Sequence, residues 1–336
     1  MKIRSDKLLV FITLDIEITG LKQYVDYLKK KEKFQIPLKT LECEVNGKNY
    51  GLNFITSSLL KHSLKGTFFV EPFCQFYFGE EYISNLLAFL KEKKQDIQLH
   101  IHPAWLSFLK NNFSDLESDV LSKYPLEKQT ELICLGKTIL KKYGVDPIAF
   151  RSPGFSANLD TYTAMKENGF KISSNYNFAE KHNREKLSSL PKINDITLLD
   201  NKIYEIPISN YLIYDIRNLF HDTYKPMQVC CTSFPKMKKV LESAYSNKMK
   251  AVTILLHNFE FLDRSNPDWL EKALKVNLKM IKYFEKLCQY LEEKQEEYQV
   301  LSFSDFSEMI AKNKEWCSDQ QKPFFIHRFY RLHWPI

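Results

Sequence analysis

The chain has 336 residues, 44% of them hydrophobic and 26% charged, which supplies a folded core and excludes disorder as the main state. Its 9 glycines exclude collagen-like and Gly-rich low-complexity organisation, and no stretch approaches the roughly 18 apolar residues of a membrane span. The 48 Lys and Arg against 41 Asp and Glu give a net charge of +7, spread mostly as lysines between apolar residues; this is solvated surface with at most mild attraction to anionic ligands, and no basic cluster alternates with aromatics as nucleic-acid binding would need.

Met1–Lys7 is basic enough to imitate a signal peptide. The apolar run Leu8–Leu14 that follows ends at Asp15 and Glu17 with no small-residue cleavage site, so it is expected to be a first strand, in a cytoplasmic protein. Further strand-like runs are Thr67–Val70, Ile97–Ile101, Ile148–Phe150, Lys171–Ser173, Ile203–Ile208, Val252–Leu256 and Gln299–Phe303. Helical patterns lie between them, at Leu52–Leu64, Glu81–Lys94, Leu126–Tyr143, Leu159–Asn168, Pro235–Lys248, Asp268–Glu293 and Asp305–Lys312. In the long pattern Trp269, Ala273, Val276, Met280, Phe284, Leu287 and Leu291 form a core stripe at helical spacing. Strand and helix alternating over the whole chain predict an α/β fold with a mostly parallel sheet, and eight runs suit one barrel over residues 1–336. Two stretches fit less well and read as insertions beside the barrel mouth: residues 22–53, with a hairpin-like turn at Glu44-Val45-Asn46-Gly47-Lys48, and the irregular, aromatic residues 210–234.

In such barrels the chemistry sits at the C-terminal ends of the strands. The first strand ends in Asp15 and Glu17, whose alternation puts both on one side; two close carboxylates raise one pKa or recruit a cation, unless they are exposed turn acids. The third ends His100-Ile101-His102, and imidazoles at i and i+2 on one face suit a metal ion. Nearby Trp105 lines a sugar site or fills core. The fourth ends Arg151-Ser152-Pro153-Gly154, an Arg that can bind an anion or hold a carboxylate ionised, followed by a turn whose N–H groups can serve as an oxyanion site, or else a surface Arg before an ordinary turn. The seventh ends in His257, either a general acid or a satisfied structural His. The seven cysteines, Cys43, Cys74, Cys134, Cys230, Cys231, Cys288 and Cys317, are odd in number and lack C-x-x-C spacing. They read as reduced thiols, with the vicinal Cys230-Cys231 the one place where redox chemistry could enter.

Taken together, Thr13-Leu14-Asp15-Ile16-Glu17, Gly66-Thr67-Phe68-Phe69-Val70, His100-Ile101-His102-Pro103, Phe150-Arg151-Ser152-Pro153-Gly154 and Leu255-Leu256-His257 resemble, in order and spacing, the motifs of the polysaccharide deacetylases, the NodB-homology or carbohydrate esterase family 4 group. The resemblance covers about residues 8 to 305. It implies an irregular (β/α)7-8 TIM-like barrel and metal-assisted removal of an acetyl group from an amino sugar. It implies Glu17, His100 and His102 as ligands of a divalent metal, with zinc the first choice and Co, Ni or Fe also suited. Asp15 would be the base, Arg151 its partner, the Gly154 N–H part of the oxyanion site and His257 the acid. The chain departs from the family pattern in four places. Ile16 separates acids that are usually adjacent, which leaves open whether Asp15 or Glu17 is the base. The His ligands stand two apart where four is usual, and Gly154 replaces an aromatic residue. The fourth motif has no clear counterpart beyond Glu205, which is either a site residue or a surface acid. The expected substrate is a lipid-linked, nucleotide-linked or free sugar, in surface polysaccharide assembly. Two other readings stand beside this one: a metal-dependent amidohydrolase acting on a non-sugar C–N bond, and a catalytically inactive carbohydrate-binding relative. The sequence is silent on oligomeric state.

Overall fold

A computed structural model describes residues 7–18, 43–109, 117–190, 192–200, 202–213, 223–263 and 275–312. Its strands in chain order are β1 (Leu8–Ile16), the hairpin β2 (Glu44–Val45) and β3 (Lys48–Asn49), β4 (Thr67–Val70), β5 (Asp96–His100), β6 (Ala149–Arg151), β7 (Ile172–Ser173), β8 (Thr197–Leu198), β9 (Tyr204–Glu205), β10 (Asn210–Ile213), β11 (Thr223–Pro226), β12 (Ala251–His257) and β13 (Tyr298–Val300). The helices are α1 (Leu52–Lys61), α2 (Gln75–Phe78), α3 (Glu80–Glu92), α4 (Leu126–Lys142), α5 (Leu159–Glu167), α6 (Lys181–Lys186), α7 (Phe234–Ser246), α8 (Leu278–Glu293) and α9 (Phe303–Lys312).

The main sheet runs β12-β1-β4-β5-β6-β7-β9-β8, with β13 also on β1. Every pairing in it is parallel except β8 with β9. This is the curled parallel sheet of the irregular barrel expected from the sequence. Between β9 and β12 there is no ladder among the described residues; Ser209 N–H reaches Thr253 O at 3.2 Å instead, and Gln228 bridges Leu255.

Alternation along β1 separates two cores. Leu8, Val10, Ile12, Leu14 and Ile16 belong to the large cluster shared with the helices, whereas Leu9 and Phe11 join Phe69, Phe303 and Phe306 inside the barrel. Phe11 meets Phe303 and Phe306 edge-on at 5.1 and 5.8 Å, and Phe69 meets Phe303 at 5.7 Å. α9 thus floors the barrel at the strands' N-terminal ends, where Phe303 N–H donates to Thr67 Oγ1 at 2.9 Å. Above this apolar floor the inward positions of β1 turn polar: Thr13, Asp15, then Glu17. On the outer side, α4 lies close to β5 because Gly136 has no side chain; a Cβ there would stand 2.9 Å from Ile101 Cγ2 and 3.0 Å from Leu99 Cδ1.

Three expectations change. The pattern Asp268–Glu293 is helical only from Leu278 among the described residues: the Asn277 side chain accepts the Met280 N–H as an N-cap, and Val276 bridges Leu262 instead. Trp269 and Ala273 lie outside the described residues. The irregular stretch 210–234 contains an antiparallel hairpin, Asn210↔Pro226 to Ile213↔Thr223, with Tyr211 and Leu212 buried. The run Ile203–Ile208 pairs only at Tyr204 and Glu205. The predicted turn at Glu44–Lys48 does form, with Asn46 at φ 52° and Gly47 at φ 72°, the left-handed pair a tight hairpin requires. The rest of the expected insertion, up to residue 42, lies outside the described residues.

Candidate active site

Register sets the row of functional groups. Asp15 pairs with His257 across β1 and β12, and His100 pairs with Arg151 across β5 and β6. Arg151 is fully buried. Its NH1 donates to Asp15 Oδ1 at 2.6 Å, its NH2 to Thr13 Oγ1 and Ser174 Oγ at 2.9 Å each, and its Nε to Ser174 O at 3.3 Å. The guanidinium lies 4.2 Å from the centre of the Phe69 ring, so the floor of aromatics ends directly under the charged layer. A buried Arg tolerates desolvation only with its donors satisfied, and this one is held on three sides.

The second group is Glu17, His100 and His102. His100 Nδ1–H donates to Arg151 O at 2.8 Å, and a carbonyl only accepts, so Nε2 carries the lone pair of the neutral ring. His102 Nδ1 stands 3.0 Å from Asp119 Oδ2, which assigns its proton in the same way, and Asp119 Oδ1 accepts the Ala104 N–H at 2.9 Å. The two Nε2 atoms therefore face each other, 3.0 Å apart, with Glu17 Oε2 at 2.5 Å from His102 and 3.7 Å from His100. Two imidazole lone pairs and a carboxylate converging within 4.8 Å of one another repel unless a proton or a cation lies among them. The donor set, two nitrogens and one oxygen with the second imidazole backed by a carboxylate, fits a divalent metal. Burial raises the Glu17 pKa, but His102, His100 and His257 outweigh it and take the carboxyl well below its usual range. The Glu17 N–H is fixed by Asn258 Oδ1 at 3.1 Å.

His257 Nε2 points into this cluster, 3.8 Å from Glu17 Oε1. Its Nδ1–H donates to Glu260 Oε2 at 3.2 Å, and the Phe259 ring stacks on it at 5.0 Å. Burial disfavours the imidazolium, but the hydrogen bond and charge of Glu260, with Glu17 and Asp15 behind, push its pKa up to about 9. It is therefore a charged donor at neutral pH.

The structure thus brings Asp15, Glu17, His100, His102, Arg151 and His257 together. It gives Glu205 and Trp105 no place among them. Glu205 is buried behind β7, accepting from Tyr162 O–H at 2.9 Å and from the N–H groups of Asn175 and Tyr176 at 3.0 and 2.9 Å; it orders the segment that presents Ser174 to Arg151. Trp105 packs in core between Phe78 and Phe108. Gly154 occupies the turn Pro153–Phe155 with φ 53°, left-handed backbone that suits glycine, and its carbonyl accepts from His182 Nε2 at 2.7 Å.

Sequence reasoning missed Glu71, Asp119 and Glu260. Glu71 directly follows β4, at the same strand-end position as the other site residues. It is buried, takes the N–H groups of Phe73 and Cys74 at 2.6 and 2.9 Å, and burial pushes its pKa up to about 7 against those bonds and His102. Glu260 lies one turn past His257. Asp119 sits in a loop with no local signal.

No family model matches this sequence, and no curated protein matches it. Solved structures do. One assigned as a polysaccharide deacetylase from Mycobacterium smegmatis is 15% identical, covers 96% of this chain and 95% of its own, and superposes with a TM-score of 0.56. A family 4 carbohydrate esterase from Streptomyces lividans, in complex with acetate, is 11% identical over 88% of this chain and 91% of that one, with a TM-score of 0.41. A 4-alpha-glucanotransferase from Thermococcus litoralis is 10% identical over 90% of this chain and 40% of that one, at 0.51. The fold is a NodB-type polysaccharide deacetylase fold. A glucanotransferase shares it, so the chemistry has to be argued from the site.

Proposed function

We propose that this chain is a metal-dependent hydrolase that removes an acetyl group from an amino sugar. The observation that carries the reading is the convergence of Glu17, His100 Nε2 and His102 Nε2 beside two further groups, the Arg151–Asp15 pair and a protonated His257. Binding a cation accounts for the first three alone; a base and an acid beside it account for a reaction.

Glu17, His100 and His102 would hold the ion, for which zinc is the first choice. When bound, such an ion supplies Lewis-acid polarisation of a carbonyl and a water acidified to a pKa of about 7. Arg151 occupies Asp15 Oδ1 and orients the carboxylate, so Oδ2 takes the proton of the attacking water. The Gly154 N–H is offered to the developing oxyanion. His257 Nε2 hands its proton to the departing amine, and the Glu260 carboxylate holds the ring in the orientation that aims Nε2 inward. The substrate class is an acetylated amino sugar, free or carried on a lipid or nucleotide.

The test is acetate release from acetylated amino sugars and their oligomers by protein of known metal content. Release that stops on chelation and returns with a divalent ion is expected. Fully metal-loaded protein that releases no acetate from any acetylated amino sugar, yet hydrolyses cyclic ureides, would move the reaction to a non-sugar amide.

A further inference from the structure

The vicinal cysteines take no part in this chemistry, yet the backbone ties them to it. Residues Met227 to Val229 run beside the end of β12: Leu255 N–H donates to Met227 O at 2.9 Å, and Val229 N–H to Leu255 O at 3.2 Å. This lays the Gln228 side-chain amide 3.3 Å from His257 Nδ1. The chain then turns, and Cys230 N–H donates to Glu260 Oε1 at 2.7 Å while Cys231 N–H donates to Gln228 O at 3.3 Å. The two groups beside His257 Nδ1, Gln228 and Glu260, are therefore each held by the backbone of one cysteine. Both thiols are free, with Cys231 exposed and Cys230 half-buried behind it.

We propose that Cys230 and Cys231 form a redox-sensitive dithiol that low-molecular-weight disulfides, such as glutathione disulfide, close to a vicinal disulfide, and that closure draws Gln228 and Glu260 away from His257.

The exchange balances. The Cys231 thiolate attacks the small disulfide, forming a mixed disulfide and releasing one thiolate. Cys230 then attacks the Cys231 sulfur, its proton passing to the second departing thiolate. Two protein thiols are oxidised and one disulfide is reduced to two thiols. The order follows from the environment. Cys230 hydrogen-bonds the Cys231 sulfur and, against burial and with help from Thr232, lowers the Cys231 thiol to about 7. That bond, burial and the Glu260 charge push the Cys230 thiol upward. The exposed sulfur is thus the nucleophile and the half-buried one resolves.

Closure has to move backbone. Consecutive Cα atoms stand about 3.8 Å apart across a trans peptide, below the roughly 4.4–6.8 Å usual for a disulfide. The new ring contains the peptide bond that carries the Cys231 N–H, and it resets ψ at Cys230 and φ at Cys231, next to the Cys230 N–H that is on Glu260. Both backbone tethers are strained together, and a strained disulfide is readily reduced again, so the change reverses.

The dithiol chemistry stands apart from the deacetylase reading; only its effect on turnover rests on that reading. Full-length reduced protein is equilibrated with glutathione disulfide over a range of ratios to glutathione, then alkylated, digested and mass-mapped, with acetate release measured in parallel. The expected peptide containing both cysteines is lighter by two hydrogens and unalkylated, turnover falls about tenfold or more, and dithiothreitol restores it. Cys231→Ser is expected to keep basal turnover and lose the sensitivity, and Cys230→Ser to stop at a mixed disulfide on Cys231. A mixed disulfide as the end product in the unaltered protein overturns the proposal. So does a closed pair with unchanged turnover, or a Cys231→Ser protein inhibited as strongly. If reduced, metal-loaded protein shows no turnover, the hydrolase reading fails alone. The dithiol is then decided by mass and by the His257 ring signals in NMR: a shift on closure supports it, and closure without a shift overturns it.

Discussion

His102 Nδ1 stands 3.0 Å from Asp119 Oδ2, and that contact decides which nitrogen of the ring faces Glu17 and His100. In the neutral form that binds a metal the ring has one proton, and the carboxylate claims it, so Nε2 is the lone-pair donor. Replacing Asp119 by Asn removes the charge that holds this tautomer. Metal affinity is expected to fall about 10- to 100-fold, the usual worth of such a supporting carboxylate, in competition against a chromophoric chelator. An unchanged affinity would show that His102 is oriented by its backbone alone.

Asp15 and Glu17, separated by Ile16, take different partners, Asp15 on Arg151 and Glu17 on the histidines, and the proposed mechanism makes Asp15 the base. Asp15→Asn is therefore expected to lower turnover by about 10²–10⁴ with metal content retained by elemental analysis. Loss of metal in that variant would make Asp15 a ligand and move the role of base to Glu17.

Arg151 and Asp15 are both buried, which makes their pair unequal to its parts. Arg151→Met leaves the buried Asp15 carboxylate without its cation, and a loss of about 3–5 kcal/mol in denaturant unfolding is expected. Adding Asp15→Asn to that variant is expected to restore part of the loss, because the uncompensated charge goes with it. A double variant no more stable than Arg151→Met alone would place the cost in the Thr13 and Ser174 contacts instead.

Most of the frame was legible because it is written in short periods. The alternation of Leu8 to Glu17 distinguishes the helix-facing side of β1 from the barrel interior, and the polar residues at positions 13, 15 and 17 follow from the same count. Pairs such as His100 and His102 declare themselves for that reason. What escaped was long-range. Asp119 reaches His102 from a loop with no period of its own. Glu205 has the composition of a site acid, but the Asn175 and Tyr176 N–H groups and the Tyr162 hydroxyl that fix it as structural come together only in the fold. Trp105, equally ambiguous by type, is assigned to core by its neighbours Phe78 and Phe108. Val276 continued a helical stripe until Asn277 capped the helix behind it.

A general acid works only while protonated, and His257 has its pKa pushed up to about 9, the Glu260 hydrogen bond and charge being the largest influences that favour the imidazolium over the opposing effect of burial. Turnover is therefore expected to stay high through neutral pH and to fall as pH rises through about 9, when Nε2 loses the proton it delivers. Glu260→Gln keeps an oxygen acceptor near Nδ1 but removes the negative charge. Burial then acts with less opposition, and the alkaline limb of kcat/KM is expected to move down toward or below the ordinary imidazole range. At pH 7 the variant loses turnover, and lowering the pH recovers part of it as the imidazole is protonated again. Metal content should not change, since the Glu260 carboxylate accepts from His257 and Cys230, neither of which is a proposed ligand. An alkaline limb that stays in place in Glu260→Gln would assign it to a group other than His257, and a variant with the limb in place but turnover uniformly reduced would leave Glu260 as an orienting group with no influence on the proton.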